Sequence, residues 1–300
     1  MASPTVTVED STIKIPGNDS ICLHTWNGNL DENEAKGLVL IFHGFGAHGL
    51  YPTVRYAAER LAVAKYIVVA PDMPGHGKSS GLKGYISSAP SFLQAGVDIA
   101  LQVQEKHVAK SGGNFFLLGS SMGGTISLSV AQKLLSQENN TSISGVVLLA
   151  PMLMLSVGTP ARYLLSSLAT IPGLNTMQLI PSNSTDPAQQ YRDVEKRKEC
   201  VEDSLSVSGN MRLGSASACV EMAAHIQSQF SSITLPFLCM IGDEDVVVKN
   251  QGSLDLMEKS PSQDKTMKRF PALHGLLCEP KPLVDTIQDD MIEWMNSRTK

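Results

Sequence analysis

The chain is poor in most of the features that make an assignment easy. Aromatic residues are only 5% of its 300 positions, and the net charge is −5. Without a basic excess there is no electrostatic footprint for nucleic acid. The five cysteines, Cys22, Cys200, Cys219, Cys239 and Cys278, are odd in number and scattered, with no CxxC pair. That spacing argues against a disulfide framework or a zinc site, and small core thiols in a reducing compartment are expected. The opening "MASPTVTVEDSTIKIP" has neither a basic start nor an apolar run, so no signal peptide is expected. The sequons at Asn18, Asn139, Asn140 and Asn183 then carry little weight. The longest apolar stretch, "GVVLLAPMLMLSV", is too short to span a bilayer and is broken by Pro151. Repeats and low-complexity tracts are absent as well.

What is present is an ordinary globular composition, 42% hydrophobic and 18% charged, long enough for a large core. "TVTVED" and "ICLHTWNG" alternate as a first antiparallel pair of strands. Short apolar runs then recur at 37–44, 66–72, 114–120, 145–151, 235–242 and 265–271. Strands buried on both faces read this way. Helical spacing fills the gaps, as in "TVRYAAERLAVA", "APSFLQAGVDIALQVQEKHVAKS", "GGTISLSVAQKLLSQ" and "KPLVDTIQDDMIEWMNS". Alternation of this kind implies βαβ units and a mostly parallel, doubly wound sheet. Residues 152 to about 232 differ. They contain no convincing strand and read as helices broken by Pro160, Pro172, Pro181 and Pro187. The charged "YRDVEKRKECVEDS" within them reads as a solvated helix face. The expected organisation is a core over 1–151, a helical cap over 152–232 and a second core segment over 233–300.

Chemistry enters at "FFLLGSSMGGTIS". Gly119-Ser120-Ser121-Met122-Gly123 fits G-x-S-x-G with Ser121 at its centre, whereas Leu118 denies Ser120 the same pattern. The motif follows a strand and opens a helix, the context in which a serine is held on a strained turn with helix N–H groups aimed at a developing oxyanion. A nucleophilic serine needs a base, and the base an orienting acid, in the order Ser, acid, His. After Ser121 only His225 and His274 remain. His225 falls within the cap and reads as a packed or surface residue. His274, in "FPALHGLL", follows the last strand, where a triad base belongs. "MIGDEDVVV" offers Asp243, Glu244 and Asp245 as the acid, and spacing alone leaves the three open.

The chain resembles the monoglyceride lipases and related lysophospholipase-like serine hydrolases of the α/β-hydrolase fold, from about residue 20 onward. "HGFGAH", "DMPGHGKSSG", "GSSMGG", "GDEDVVV" and "HGLLCEP" carry the resemblance in order. The family's acid turn, G-x-x-D-x-V, implies Asp245. Its HG-x loop implies the Phe45 N–H as one oxyanion donor and the Met122 N–H as the other. Two departures stand out: Ser120 occupies the place of the usual histidine in GHSMGG, and Ala47 that of an acidic residue common in animal members.

The resemblance implies ester hydrolysis through an acyl-enzyme without metal or cofactor. The substrate would be a monoacylglycerol or another single-chain lipid ester. A lysophospholipid or a hydroxycinnamoyl ester of the caffeoylshikimate type is the alternative. The Leu- and Met-rich run after Pro151 is expected to line an acyl tunnel, with Leu153 and Met154 the first positions to test. The cap would allow peripheral contact with membranes or lipid droplets in a cytoplasmic protein.

Competing readings are weaker. Gly44, Gly46 and Gly49 match G-x-G-x-x-G with Asp72 ending the next strand, as in a dinucleotide site. A proline at position 52 and an idle Ser121, Asp245 and His274 argue against it. A non-catalytic receptor on the same fold is the other class. Asp72 and His76 read as scaffold for their loop.

Overall fold

The computed structural model describes residues 6–30, 34–107, 109–137, 142–155, 157–181 and 186–299. Asn139, Asn140 and Asn183 lie outside the described residues. Among the described residues ten strands are formed: β1 (Val8–Ile15), β2 (Asn18–Trp26), β3 (Gly37–Phe42), β4 (Tyr66–Pro71), β5 (Phe115–Ser120), β6 (Gly145–Leu149), β7 (Gln178–Ile180), β8 (Met211–Arg212), β9 (Phe237–Gly242) and β10 (Lys265–Phe270). Helices are α1 (Pro52–Val63), α2 (Ala89–His107), α3 (Met122–Ser136), α4 (Thr159–Ala169), α5 (Pro187–Gln190), α6 (Val194–Glu202), α7 (Leu213–Ser228), α8 (Gln251–Lys259) and α9 (Leu283–Asn296).

Eight strands form one sheet in the order β1-β2-β4-β3-β5-β6-β9-β10. β2 pairs antiparallel with β1 and β4, and every pair from β4 to β10 is parallel. This is the α/β-hydrolase fold. The continuous apolar runs follow from burial on both faces. Leu38, Leu40 and Phe42 of β3 join the core packed under α2, α3, α7 and α8, while Val39 and Ile41 join the core under α1 and α9. β10 is the exception. Its "KTMKRF" keeps charged residues because it is an edge strand with one side half-exposed.

The segment between β6 and β9 departs from expectation in three ways. It contains a small antiparallel pair, β7 with β8, too short to leave a periodic signal. Pro160 and Pro187 begin α4 and α5 rather than break helices, since proline lacks only an N–H that the first turn cannot use. The inner face of α7, with Cys219, Met222 and Ile226, packs into the main core, so the end of the segment is continuous with it.

The strand order reverses beside β3: β4 lies on one side and β5 on the other. Loops leaving the carboxyl ends of β3 and β5 therefore diverge from a shared crevice, the usual place for a ligand in such sheets. The first loop carries "HGFGAH" and the second carries Ser121.

Candidate active site

The β5–α3 junction explains its own sequence. Ser121 has φ 55° and ψ −119°, a conformation that an L-residue holds only when its surroundings impose it. Three backbone bonds impose it here. Ser121 N–H donates to Leu149 O at 3.0 Å, and Ser121 O accepts from Gly124 N–H and Met152 N–H, both at 2.9 Å. A Cβ at Gly119 would overlap the Gly123 carbonyl, and one at Gly123 would overlap the Phe42 carbonyl, so both glycines are required by close approach. Ser120 is the last residue of β5, in register with Leu149, and has no such strain. Both serines face one cavity of about 480 Å³.

The turn after β9 separates the three acids by geometry. Asp245 Oδ2 lies 2.7 Å from His274 Nδ1. Its Oδ1 accepts N–H groups from Val247 at 2.8 Å and Val248 at 3.1 Å. The Asp245 carboxylate is fully buried. Asp243 instead pairs with Arg269 at 2.7 Å and Glu244 with Arg192 at 3.0 Å, all on exposed side chains. His274 follows β10, is buried, and lines the same cavity as Ser121, with no hydrogen bond yet formed between their side chains among the described residues. Serine–base contacts are often open in unliganded sites and close on substrate. His225, on α7, is exposed, and its ring lies 3.3 Å from Gln229 Nε2.

The loop after β3 supplies the other wall. Gly44 sits against Ser121, where an added Cβ would lie 3.3 Å from the serine Cβ. Phe45 is half-buried and lines the cavity. Met122 is the first residue of α3, so its N–H has no intrahelical acceptor. The loop is held from several sides. His43 Nε2 accepts the Met73 N–H at 3.0 Å, which leaves Nδ1–H to donate to Gly44 O at 2.7 Å. Burial drives the His43 pKa down to about 3 and that of His76 to about 4, so both are neutral. The His76 ring stands edge-on to Phe45, 5.7 Å between centroids.

Asp72, fully buried, braces the far end of the loop. Its Oδ1 accepts from Gly49 N–H at 2.7 Å and lies 3.1 Å from His24 Nε2, while its Oδ2 accepts from Lys78 N–H at 2.7 Å. Asp10 Oδ1 takes the other His24 nitrogen at 2.6 Å. Burial alone would depress the His24 pKa, but the Asp72 contact and those of Cys22 and Asp10 raise it to about 10. Burial likewise opposes ionisation of Asp72, and the bonds from His24 and Lys78 overcome it, bringing its pKa to about 2. Asp10, Cys22 and His24 are the one group of potential metal ligands that comes together among the described residues. With a carboxylate on each His24 nitrogen and Lys78 on Asp10 at 2.6 Å, the group is self-neutralising.

The segment between β6 and β9 completes the cavity. Met152, Leu155, Leu165, Val207, Met211 and Cys219 line it, whereas Leu153 is sealed in the main core and Met154 lies off the wall. Side chains at 153 and 154 are therefore the wrong pair for probing acyl recognition. The same segment reaches the loop after β3. His48 Nε2 donates to Asp203 Oδ1 at 2.9 Å, and Val207 N–H donates to Gly46 O at 2.7 Å. The run read as a solvated helix face is thus only partly solvated. On α6, Lys196 and Cys200 turn inward, and their spacing of four residues is the signal available in the sequence, while Arg192 and Asp203, flanking the helix, reach buried Glu279 and His48. Tyr51 and Tyr191 also meet in the cavity wall, hydroxyl to hydroxyl at 3.1 Å, a contact without a sequence signature. All five cysteines are free and buried.

A family model, Hydrolase_4, described as "Serine aminopeptidase, S33", matches residues 33–281. The chain belongs to this family. It is a hydrolase-family enzyme, monoglyceride-lipase-like in sequence. The rat protein named monoglyceride lipase is 26% identical over 268 residues, covering 88% of this chain and 83% of that one. Caffeoylshikimate esterase of Arabidopsis thaliana is 26% identical over 273 residues, covering 90% and 80%. A soluble variant of Saccharomyces cerevisiae monoglyceride lipase, solved with a substrate analog, superposes with a TM-score of 0.83 at 20% identity. That match covers 100% of this chain and 98% of the yeast chain, and it shows a shared fold. Among the described residues no helix is long and apolar enough to cross a membrane.

Proposed function

We propose that this enzyme hydrolyses carboxylic esters of single-chain lipids, monoacylglycerols first, through an acyl-enzyme on Ser121. The observation that carries the reading is the buried Asp245–His274 contact of 2.7 Å opening onto the same cavity as the strained Ser121. In this mechanism Ser121 Oγ attacks the ester carbonyl while His274 Nε2 takes its proton. Asp245 keeps the other proton on Nδ1 and offsets the imidazolium charge. The N–H groups of Phe45 and Met122 receive the oxyanion. His274 then protonates the departing alcohol, and a water activated by the same nitrogen releases the fatty acid. Residues 152–232 act as a cap, and its largely apolar lining supports an acyl chain as the recognised group.

On the cap's outer side Tyr163 and Leu164 of α4 are 72% and 61% exposed, with Ile171, Met177 and Leu179 also uncovered. That face supports peripheral contact with a lipid surface, worth about 25 cal/mol per Å² of apolar area covered. A second reading, a hydroxycinnamoyl esterase, is favoured by the Tyr51–Tyr191 pair in the wall, which places two aromatic rings beside the space a phenolic substrate would fill. Turnover on monoacylglycerols, lysophospholipids and hydroxycinnamoyl esters separates the readings. Preference for monoacylglycerols sustains the first, and faster cleavage of hydroxycinnamoyl esters than of any lipid overturns it.

A further inference from the structure

We infer that Arg192, on the segment leading into α6, is a positioning residue that fixes the Asp245 turn and the His274 loop relative to each other. The inference rests on the catalytic reading above. Arg192 spans two carboxylates. One guanidinium nitrogen lies 3.0 Å from Glu244 Oε1, and Nε lies 2.9 Å from Glu279 Oε2. Glu244 directly precedes Asp245. Glu279 is fully buried, and its Oε1 accepts the N–H of Leu273, the residue directly before His274, at 2.6 Å. One side chain thus connects the neighbour of the acid to the group that anchors the neighbour of the base.

The surrounding bonds point the same way. Gly275 N–H donates to Gln190 O at 2.8 Å and Asp193 N–H donates to Cys278 O at 2.9 Å. Lys196 Nζ donates to Leu277 O and Glu279 O, each at 3.1 Å. The cap segment 190–196 is therefore laced along the whole loop that carries the base. Within that lacing Arg192 has a distinct task. Burial raises the Glu279 pKa, and the Leu273 N–H and Arg192 act against that rise. A buried carboxylate deprived of its cation must take a proton or move toward water. Either change alters the support of Leu273, and with it the path of His274 toward Ser121. Glu279 Oε2 accepts no hydrogen bond among the described residues, so the Arg192 contact is an ion pair, and arginine suits the site because separate guanidinium nitrogens reach the two carboxylates where a lysine ammonium is a single point charge.

The test uses the full-length protein, p-nitrophenyl butyrate as a short soluble ester, and the rate of labelling by a fluorophosphonate. A displacement of about 1 Å at a reacting group costs up to roughly a hundredfold in rate, so Arg192→Ala should lower kcat about tenfold or more with KM nearly unchanged. The labelling rate should fall by the same factor, and Arg192→Lys should recover part of both. In a Glu279→Gln background Arg192 has no charge at position 279 to offset, so Arg192→Ala should cost less than about twofold. Arg269→Ala removes the exposed ion pair with Asp243 on the same turn and should leave kcat within about twofold. Wild-type kcat in Arg192→Ala, or an equal loss in both backgrounds, overturns the inference. If Arg192→Ala does not fold, Arg192→Gln against Arg192→Lys decides, and equal kcat in the two defeats it. An unmodified protein that neither hydrolyses the ester nor takes the label fails at the catalytic reading instead.

Discussion

Replacing Asp245 by asparagine changes one atom type in a site where both carboxylate oxygens are in use. Oδ1 holds the Val247 and Val248 N–H groups, and Oδ2 faces His274 Nδ1 at 2.7 Å. An amide can meet this environment in two ways. With its NH₂ turned toward the two N–H donors it forgoes both of those bonds, at about 1.5–3 kcal/mol for each bond to a charged group. With its carbonyl oxygen kept on Val247 and Val248, the NH₂ points at His274. The imidazole must then accept at Nδ1 and carry its proton on Nε2. That tautomer cannot take a proton from Ser121. The second arrangement wins on hydrogen bonding and loses the chemistry, so Asp245→Asn should fall about 10⁴-fold in kcat, or about 5.5 kcal/mol of barrier. Asp243→Asn breaks only the exposed pair with Arg269, for which about 0–1 kcal/mol is expected. Hydrolysis of p-nitrophenyl butyrate, with thermal melting to confirm folding, measures both. An inactive Asp243→Asn beside an active Asp245→Asn would refute this account of the turn.

Other outcomes follow from the cavity and the buried ion network. Monoacylglycerol kcat/KM should rise about fourfold per added CH₂ until the cavity is filled, from about 0.8 kcal/mol per buried methylene. Leu155→Ser, which places a hydroxyl in the lining, should flatten that rise, and an unaltered chain-length profile would show that the acyl chain lies elsewhere. For His24 the sign of the pH effect is set by a pKa raised to about 10. Its stabilisation is complete below the unfolded value near 6.5 and is lost as pH rises through about 10. His24→Gln should therefore lower Tm most near pH 5–6 and progressively less toward pH 10. A Tm difference constant over that range would contradict the ion-pair assignment.

Some of this molecule could be read directly from its residues. β3, β5, β6 and β9 are nearly unbroken apolar runs because both faces of a central parallel strand are covered. The strand-to-helix serine was visible because its two glycines are imposed by contacts a Cβ would abolish. Choosing among Asp243, Glu244 and Asp245 was a different matter. Adjacent residues in one turn share composition and spacing, so within the sequence only the family resemblance implies Asp245, and the fold then sets Asp245 against His274 with the other two paired on the surface. The β7–β8 pair leaves no sequence signal because strands this short have no period. Arg192 and Asp203 were hidden in a charged run, since charge says nothing about which face a residue takes until a partner such as Glu279 is known to be buried. Leu153 and Leu155 are both apolar, yet one is sealed in the core and the other lines the cavity.

The central claim is that Ser121 carries the acyl group, and covalent labelling tests it most directly. The protein is treated with a fluorophosphonate, digested, and the adduct located by mass spectrometry. The account predicts one adduct, on Ser121, the residue held at φ 55° beside Gly44. Labelling and ester hydrolysis should both vanish in Ser121→Ala and both persist in Ser120→Ala. An adduct on Ser120, or ester hydrolysis that survives Ser121→Ala, would contradict it.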